Sequence, residues 1–162
     1  MFRNVLKALA ACTAVVAMAS GGAAADLAPR AGWRVIDTDL AHADLLDRLR
    51  AAVTAEGMGI VTEAGPTGAA RARGIEIPEN RVLGVFNNDF AVRILGLSTA
   101  AMIEAPIRFY VTESEDGTAT LSWKEPSFVF APYQDEGGSA LADIAADLDT
   151  RFDAIAARAT AD

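Results

Sequence analysis

Few side chains in this 162-residue chain are of the kinds that do chemistry near neutral pH: one histidine, His42, and one cysteine, Cys12. His42 is the only group whose ordinary pKa lies between pH 5 and 8, so it is the one candidate for a pH-sensitive role. Its spacing places it in the first turn of a helix, on the side of Leu45, Leu46 and Leu49. That position fits a histidine at the edge of a core better than a ligand, because a metal site needs further donors. No second imidazole is present to supply one. The acidic run Glu113-Ser114-Glu115-Asp116-Gly117 lacks the alternate-position acids and distant Glu of a calcium loop. Asp143, Asp147, Asp149 and Asp153 fit the solvated side of a helix, while Met58 and Met102 fit gaps in a core. Ser-His-Asp, Cys-His and glycine-rich phosphate patterns are missing, so no catalytic group, metal or cofactor is expected.

A second chemistry follows from the pairing of two strands. Ile107, Phe109 and Val111 alternate with Arg108, Tyr110 and Thr112, and Ala119, Leu121 and Trp123 alternate with Thr120, Ser122 and Lys124. A three-residue loop, Glu115-Asp116-Gly117, with Gly117 left-handed, closes them into a hairpin. That register sets Phe109 opposite Trp123 and Val111 opposite Leu121 on an apolar face. On the other face Thr112 meets Thr120, Tyr110 meets Ser122, and Arg108 meets Lys124. Like charges directly opposite on a sheet are destabilising. One explanation is that Glu104, Glu125 or the terminal helix neutralises the pair. The other is a small-anion site, with Tyr110 and Ser122 as hydrogen-bond donors and Arg81 as a third cation if its strand shares that face.

These residues need a scaffold, and the apolar periodicity supplies one. Trp33 to Asp37 reads as a strand, and Thr38 or Asp39 as the cap of a helix from about Ala41 to Glu56, stopped by Gly57. Its apolar stripe is Leu45, Leu46, Leu49 and Val53. Met58 to Glu63 is a second strand, Ala69 to Arg73 a short helical turn, and Arg81 to Asn87 a third strand. A helix is expected over Asn88 to Ala101, the hairpin strands follow, and residues 126–138 read as a loop. Ser139 then caps a long helix whose stripe is Leu141, Ile144, Ala145, Leu148, Phe152 and Ile155. The pattern predicts a single α+β domain, a mostly antiparallel five-stranded sheet packed by two main helices.

The N-terminus carries its own signal. Arg3 and Lys7 precede an apolar run from Ala8 to Ala19, and Ala23-Ala24-Ala25 precedes Asp26. A basic start, a short apolar core and an A-x-A exit mark a secretory signal peptide over residues 1–25. Leu9-Ala10-Ala11-Cys12 also resembles a lipoprotein box, but simple cleavage after Ala25 accounts for the whole segment. The run is shorter than the ~20 residues a membrane crossing needs. A mature chain of residues 26–162, periplasmic or secreted and without membrane insertion, is therefore expected, with no thiol. Loss of the leader removes two of 14 basic residues and none of 22 acidic ones, leaving 12 against 22, a net charge of −10. That charge argues against nucleic-acid partners, which recruit clustered Lys and Arg.

Several pieces in order resemble a known family. A helix ends in Gly before a strand (Glu56-Gly57-Met58-Gly59-Ile60-Val61), and Gly74-Ile75-Glu76-Ile77-Pro78 leads into Arg81-Val82-Leu83-Gly84-Val85-Phe86-Asn87. Ala105-Pro106 then opens a strand, Asp116-Gly117 turns it, and Pro126 closes the next. The set resembles the bacterial and archaeal family known as domain of unknown function 302, across about Trp33 to Tyr133. The resemblance implies a β-α-β4-α fold, similar to TATA-binding-protein-like folds, with short extra helices. It implies no activity and no catalytic residues. Three functions stay open: a non-catalytic binding or accessory module for a small anion, a metal-free enzyme using carboxylates or Arg and Lys, and a structural or self-associating homodimer. The first is preferred.

Overall fold

The alternating residues between positions 33 and 124 form the strands of one sheet, and the amphipathic stretches lie across one side of it. The computed structural model describes residues 27–161, so the expected leader and Cys12 lie outside the described residues. Along the chain come β1 (Trp33–Ala41), α1 (His42–Ala55), β2 (Gly59–Ala64), α2 (Thr67–Arg71), β3 (Asn80–Phe86) and α3 (Asn88–Leu97). They are followed by β4 (Ile107–Glu113), β5 (Thr118–Lys124), α4 (Pro126–Phe130) and α5 (Gln134–Ala159). Short 3-10 turns span Ala100–Glu104 and Ala131–Tyr133.

The strand order is β1-β5-β4-β3-β2, and each neighbouring pair is antiparallel. The fold is thus α+β, with a five-stranded antiparallel sheet. The β4–β5 register sets Phe109 opposite Trp123, Tyr110 opposite Ser122, Val111 opposite Leu121 and Thr112 opposite Thr120. The turn closes through the Ser114 N–H to the Thr118 carbonyl at 2.8 Å, with Gly117 at φ 86°.

Burial follows that register. Phe109, Val111, Leu121 and Leu83 are sealed beneath α1 and α5, whose Leu45, Leu49, Leu141 and Ile155 complete the core. Phe109 stacks on Phe152 of α5, with ring centroids 4.6 Å apart, and meets Trp123 at 5.4 Å with a tilted ring. Arg108, Tyr110 and Thr112 of β4 alternate onto the opposite face, where Asn80, paired with Thr112, donates from its side chain to Thr67 of α2 at 3.3 Å.

Three local expectations change. Thr38 and Asp39 do not cap α1, because pairing with β5 carries β1 on to Ala41, opposite Thr118. The Thr38 hydroxyl donates instead to the Ala119 carbonyl at 2.6 Å. The helix expected over Asn88 to Ala101 ends at Leu97, where Ser98 turns extended and a separate 3-10 turn follows. Ser98 Oγ accepts from the Ala101 N–H at 3.0 Å and donates to Glu136 at 2.6 Å, so the break is fixed by side-chain hydrogen bonds. Residues 126–138, expected as a loop, hold α4, a 3-10 turn and the start of α5, which kinks at Gly138. Pro126 at the first position of α4 suits a helix start, since its missing N–H would have no intrahelical partner there.

Candidate functional site

The β4–β5 ladder ends at Phe109–Trp123. Arg108 and Lys124 are the next residue on each strand, so they sit where the hairpin opens, on the face opposite α1 and α5. On the other side of β4, Arg108 pairs with Gly84 of β3, and on the other side of β5, Lys124 pairs with Trp33 of β1. Sheet pairing therefore fixes both cations on adjacent central strands, with Trp33 and Tyr110 beside them.

Between these strand ends and the following connections lies a cleft of about 370 Å³. Arg108, Lys124 and Tyr110 line it together with Trp33, Val82 and Trp123. It is completed by Ile107 at the start of β4, Val129 of α4, and Glu104 at the end of the 3-10 turn. The lining is mostly apolar, with charge confined to a few points, as ligand pockets commonly are.

The two cations have no acidic partner. Among the described residues, every ion pair within 4 Å involves some other arginine. The carboxylates that could neutralise them by sequence are engaged elsewhere. Glu125 lies 3.4 Å from Arg34, and Glu104 accepts the Tyr133 hydroxyl at 2.7 Å. That hydrogen bond, then partial burial, raises the Tyr133 pKa above its usual value. Trp33 stands between two positive groups, with the Lys124 ammonium 5.8 Å and the Arg30 guanidinium 5.1 Å from its ring centroid. Such cation–π contact steadies Lys124 without neutralising it.

Two of the residues proposed for this site lie elsewhere. Arg81 pairs with Val111, so strand parity points it to the helix-covered side of the sheet. There its Nε lies 3.8 Å from Glu63, which also pairs with Arg50 of α1. Ser122 shares the face of Arg108, but its side chain is 0 % exposed and its Oγ lies 3.5 Å from the Tyr110 carbonyl. Val35 and Tyr110 flank it in the register, and it does not line the cleft. His42 is 7 % exposed at the start of α1, away from the cleft, and its Nε2 has no hydrogen-bond partner among the described residues. No group of three or more His, Cys, Asp or Glu side chains among the described residues is placed to hold a metal ion.

Sequence reasoning missed Trp33, Val129 and Glu104 as members of this site. Trp33 had a signal, being a large aromatic at the start of an edge strand. Glu104 was legible only as a possible neutraliser of the pair, and Val129 fell in an expected loop.

Comparison with known proteins places the fold. Residues 35–159 match the sequence profile of the family described as domain of unknown function DUF302. A crystal structure of an uncharacterised conserved DUF302 protein from Bacillus stearothermophilus is similar, with a TM-score of 0.70 and 22% identity. The match covers 80% of this chain and 99% of that one. At that identity the likeness speaks for the fold alone. No curated protein matches the chain.

Proposed function

This chain belongs to the DUF302 family, whose name carries no activity, and we therefore propose a function from the chemistry of the cleft: a non-catalytic binding module for a small anion. The observation that carries it is Arg108 beside Lys124, both exposed, without a carboxylate within 4 Å among the described residues of an acidic chain. Two adjacent cations repel each other when alone and are stabilised when an anion bridges them, since charge-assisted hydrogen bonds are the stronger kind. Arg108 offers a planar fork, Lys124 a point charge, and Tyr110 a hydroxyl in the same cleft. The leader pattern at residues 1–25 supports export of this module, with a mature chain starting at about Asp26.

A thermal-shift screen of carboxylates, sulfate and phosphate tests the reading. The wild type should be stabilised by at least one anion, less so as salt rises. Arg108→Ala should lose that stabilisation while keeping its unliganded melting temperature. A flat screen, or an Arg108→Ala variant that is simply less stable, overturns it. A second reading, self-association, draws support from Val61, 55 % exposed on the edge strand β2. Sedimentation that is independent of concentration would remove it.

A further inference from the structure

The cleft that holds Arg108 and Lys124 also holds a carboxylate. Glu104 lines it, half-buried, yet it lies more than 4 Å from either cation. Its carboxylate has one hydrogen bond among the described residues, the Tyr133 hydroxyl on Oε1. Opposite charges therefore line the same cleft without pairing, and Trp33, Ile107 and Val129 add apolar surface to it. A simple anion entering this space is attracted by Arg108 and Lys124 but repelled by Glu104. A ligand carrying both charges escapes that penalty and meets a partner at each end.

The geometry points to a free amino acid with an apolar side chain: its carboxylate on Arg108 and Lys124, its ammonium on Glu104 Oε2, its side chain against Trp33, Ile107 and Val129. This rests on the anion-binding reading and narrows it to a zwitterion. The cleft, about 370 Å³ and open to solvent, has room for a molecule of amino-acid size. Tyr133 occupies Oε1 of Glu104, and Oε2 has no hydrogen-bond partner among the described residues.

Titration calorimetry of the purified protein at low salt with three related compounds tests this: L-phenylalanine, 3-phenylpropionate, which lacks the amine, and 2-phenylethylamine, which lacks the carboxylate. L-phenylalanine should bind about tenfold or more tightly than either, the size of effect expected when a charge-assisted hydrogen bond is lost. Glu104→Gln keeps an acceptor for the Tyr133 hydroxyl, so the fold should persist. It should cost L-phenylalanine about tenfold in affinity and leave 3-phenylpropionate unchanged or tighter. If 3-phenylpropionate equals or exceeds L-phenylalanine in the wild type, the zwitterion inference fails and the anion reading stands. If only 2-phenylethylamine binds, or none of the three does while anions also give no thermal shift, both fail. The wild-type comparison decides the matter even if Glu104→Gln does not fold.

Discussion

Phe109 joins the two halves of the core, because its ring touches Trp123 across the hairpin and Phe152 on α5. Truncation to Ala removes both contacts in a fully buried site and leaves a cavity that strands and helix cannot easily close. Phe109→Ala should cost about 3–5 kcal/mol in chemical denaturation. A loss below about 1 kcal/mol would mean that the ring is not enclosed as described. At the cleft, Tyr133 offers a spectroscopic readout. Glu104 raises its pKa above the ordinary value near 10 by accepting its hydroxyl. The phenol's pKa is raised on folding, so this contribution to stability is complete below the unfolded value and is lost as pH climbs through the folded one. The chain has two tyrosines, so in Tyr110→Phe the phenolate absorbance reports Tyr133 alone. Its midpoint should lie above 10, and adding Glu104→Gln should bring it down.

Elements in this fold are held in place by polar groups at their ends. Asn87 links β3 to α3 and to the end of α1. Its Oδ1 accepts from the Asp89 and Phe90 N–H groups at 2.9 and 3.3 Å, while its Nδ2 donates to the Gly57 carbonyl at 3.0 Å. Asn87→Ala removes an N-cap and one long-range bond, and should cost about 1–2 kcal/mol. Gly32 plays a different part, at the entry to β1. It has φ 71°, and a Cβ there would lie 2.0 Å from the Phe128 ring of α4. The Gly32 carbonyl also accepts from the Glu125 N–H at 2.9 Å, tying the lead-in to the end of β5. Gly32→Ala should therefore push α4 away from the start of β1 and destabilise the protein. Phe128→Ala in the same chain should recover only part of the loss, because the left-handed backbone at position 32 stays strained. Full recovery, measured by melting temperature, would show that the clash alone matters.

Considered as a whole, the described chain has one sheet, one layer of helices on it and one core shared by both. α5 runs through that core from Leu141 to Ala159, so it should not detach without exposing the sheet. Tryptophan fluorescence from Trp33 and Trp123, at the cleft, should accordingly lose its native signal together with the far-UV helix signal. Separate midpoints would mean that the sheet end and the helices unfold independently. The only cysteine, Cys12, lies in the expected leader. The mature protein should then melt at the same temperature with and without reductant, and a shift would show that a thiol is retained. Among the described residues no helix is long and apolar enough to cross a membrane.

The five strands, the two main helices, the hairpin register and its buried face were all legible in the amino-acid sequence. These properties follow from period-two and period-3.6 alternation and from the loop length at Glu115-Asp116-Gly117, all of them local. Because side chains alternate across a strand, the register that pairs Phe109 with Trp123 also puts Arg108 and Lys124 on one face, one position past the last pair. The face taken by Arg81 was beyond reach, since it depends on how β3 aligns with β4, two strands joined by a long connection. The lost cap at Thr38 and Asp39 has the same origin, as long-range pairing with β5 overrode a local preference. Other members of the cleft were equally hidden: Trp33 reaches it through the pairing of β1 with β5, and Val129 through the packing of α4. Tertiary structure also decided that Glu104 pairs with Tyr133 and Glu125 with Arg34. Sequence spacing shows which charges are neighbours along a strand, but which carboxylate reaches which cation depends on distances set by packing across the whole fold.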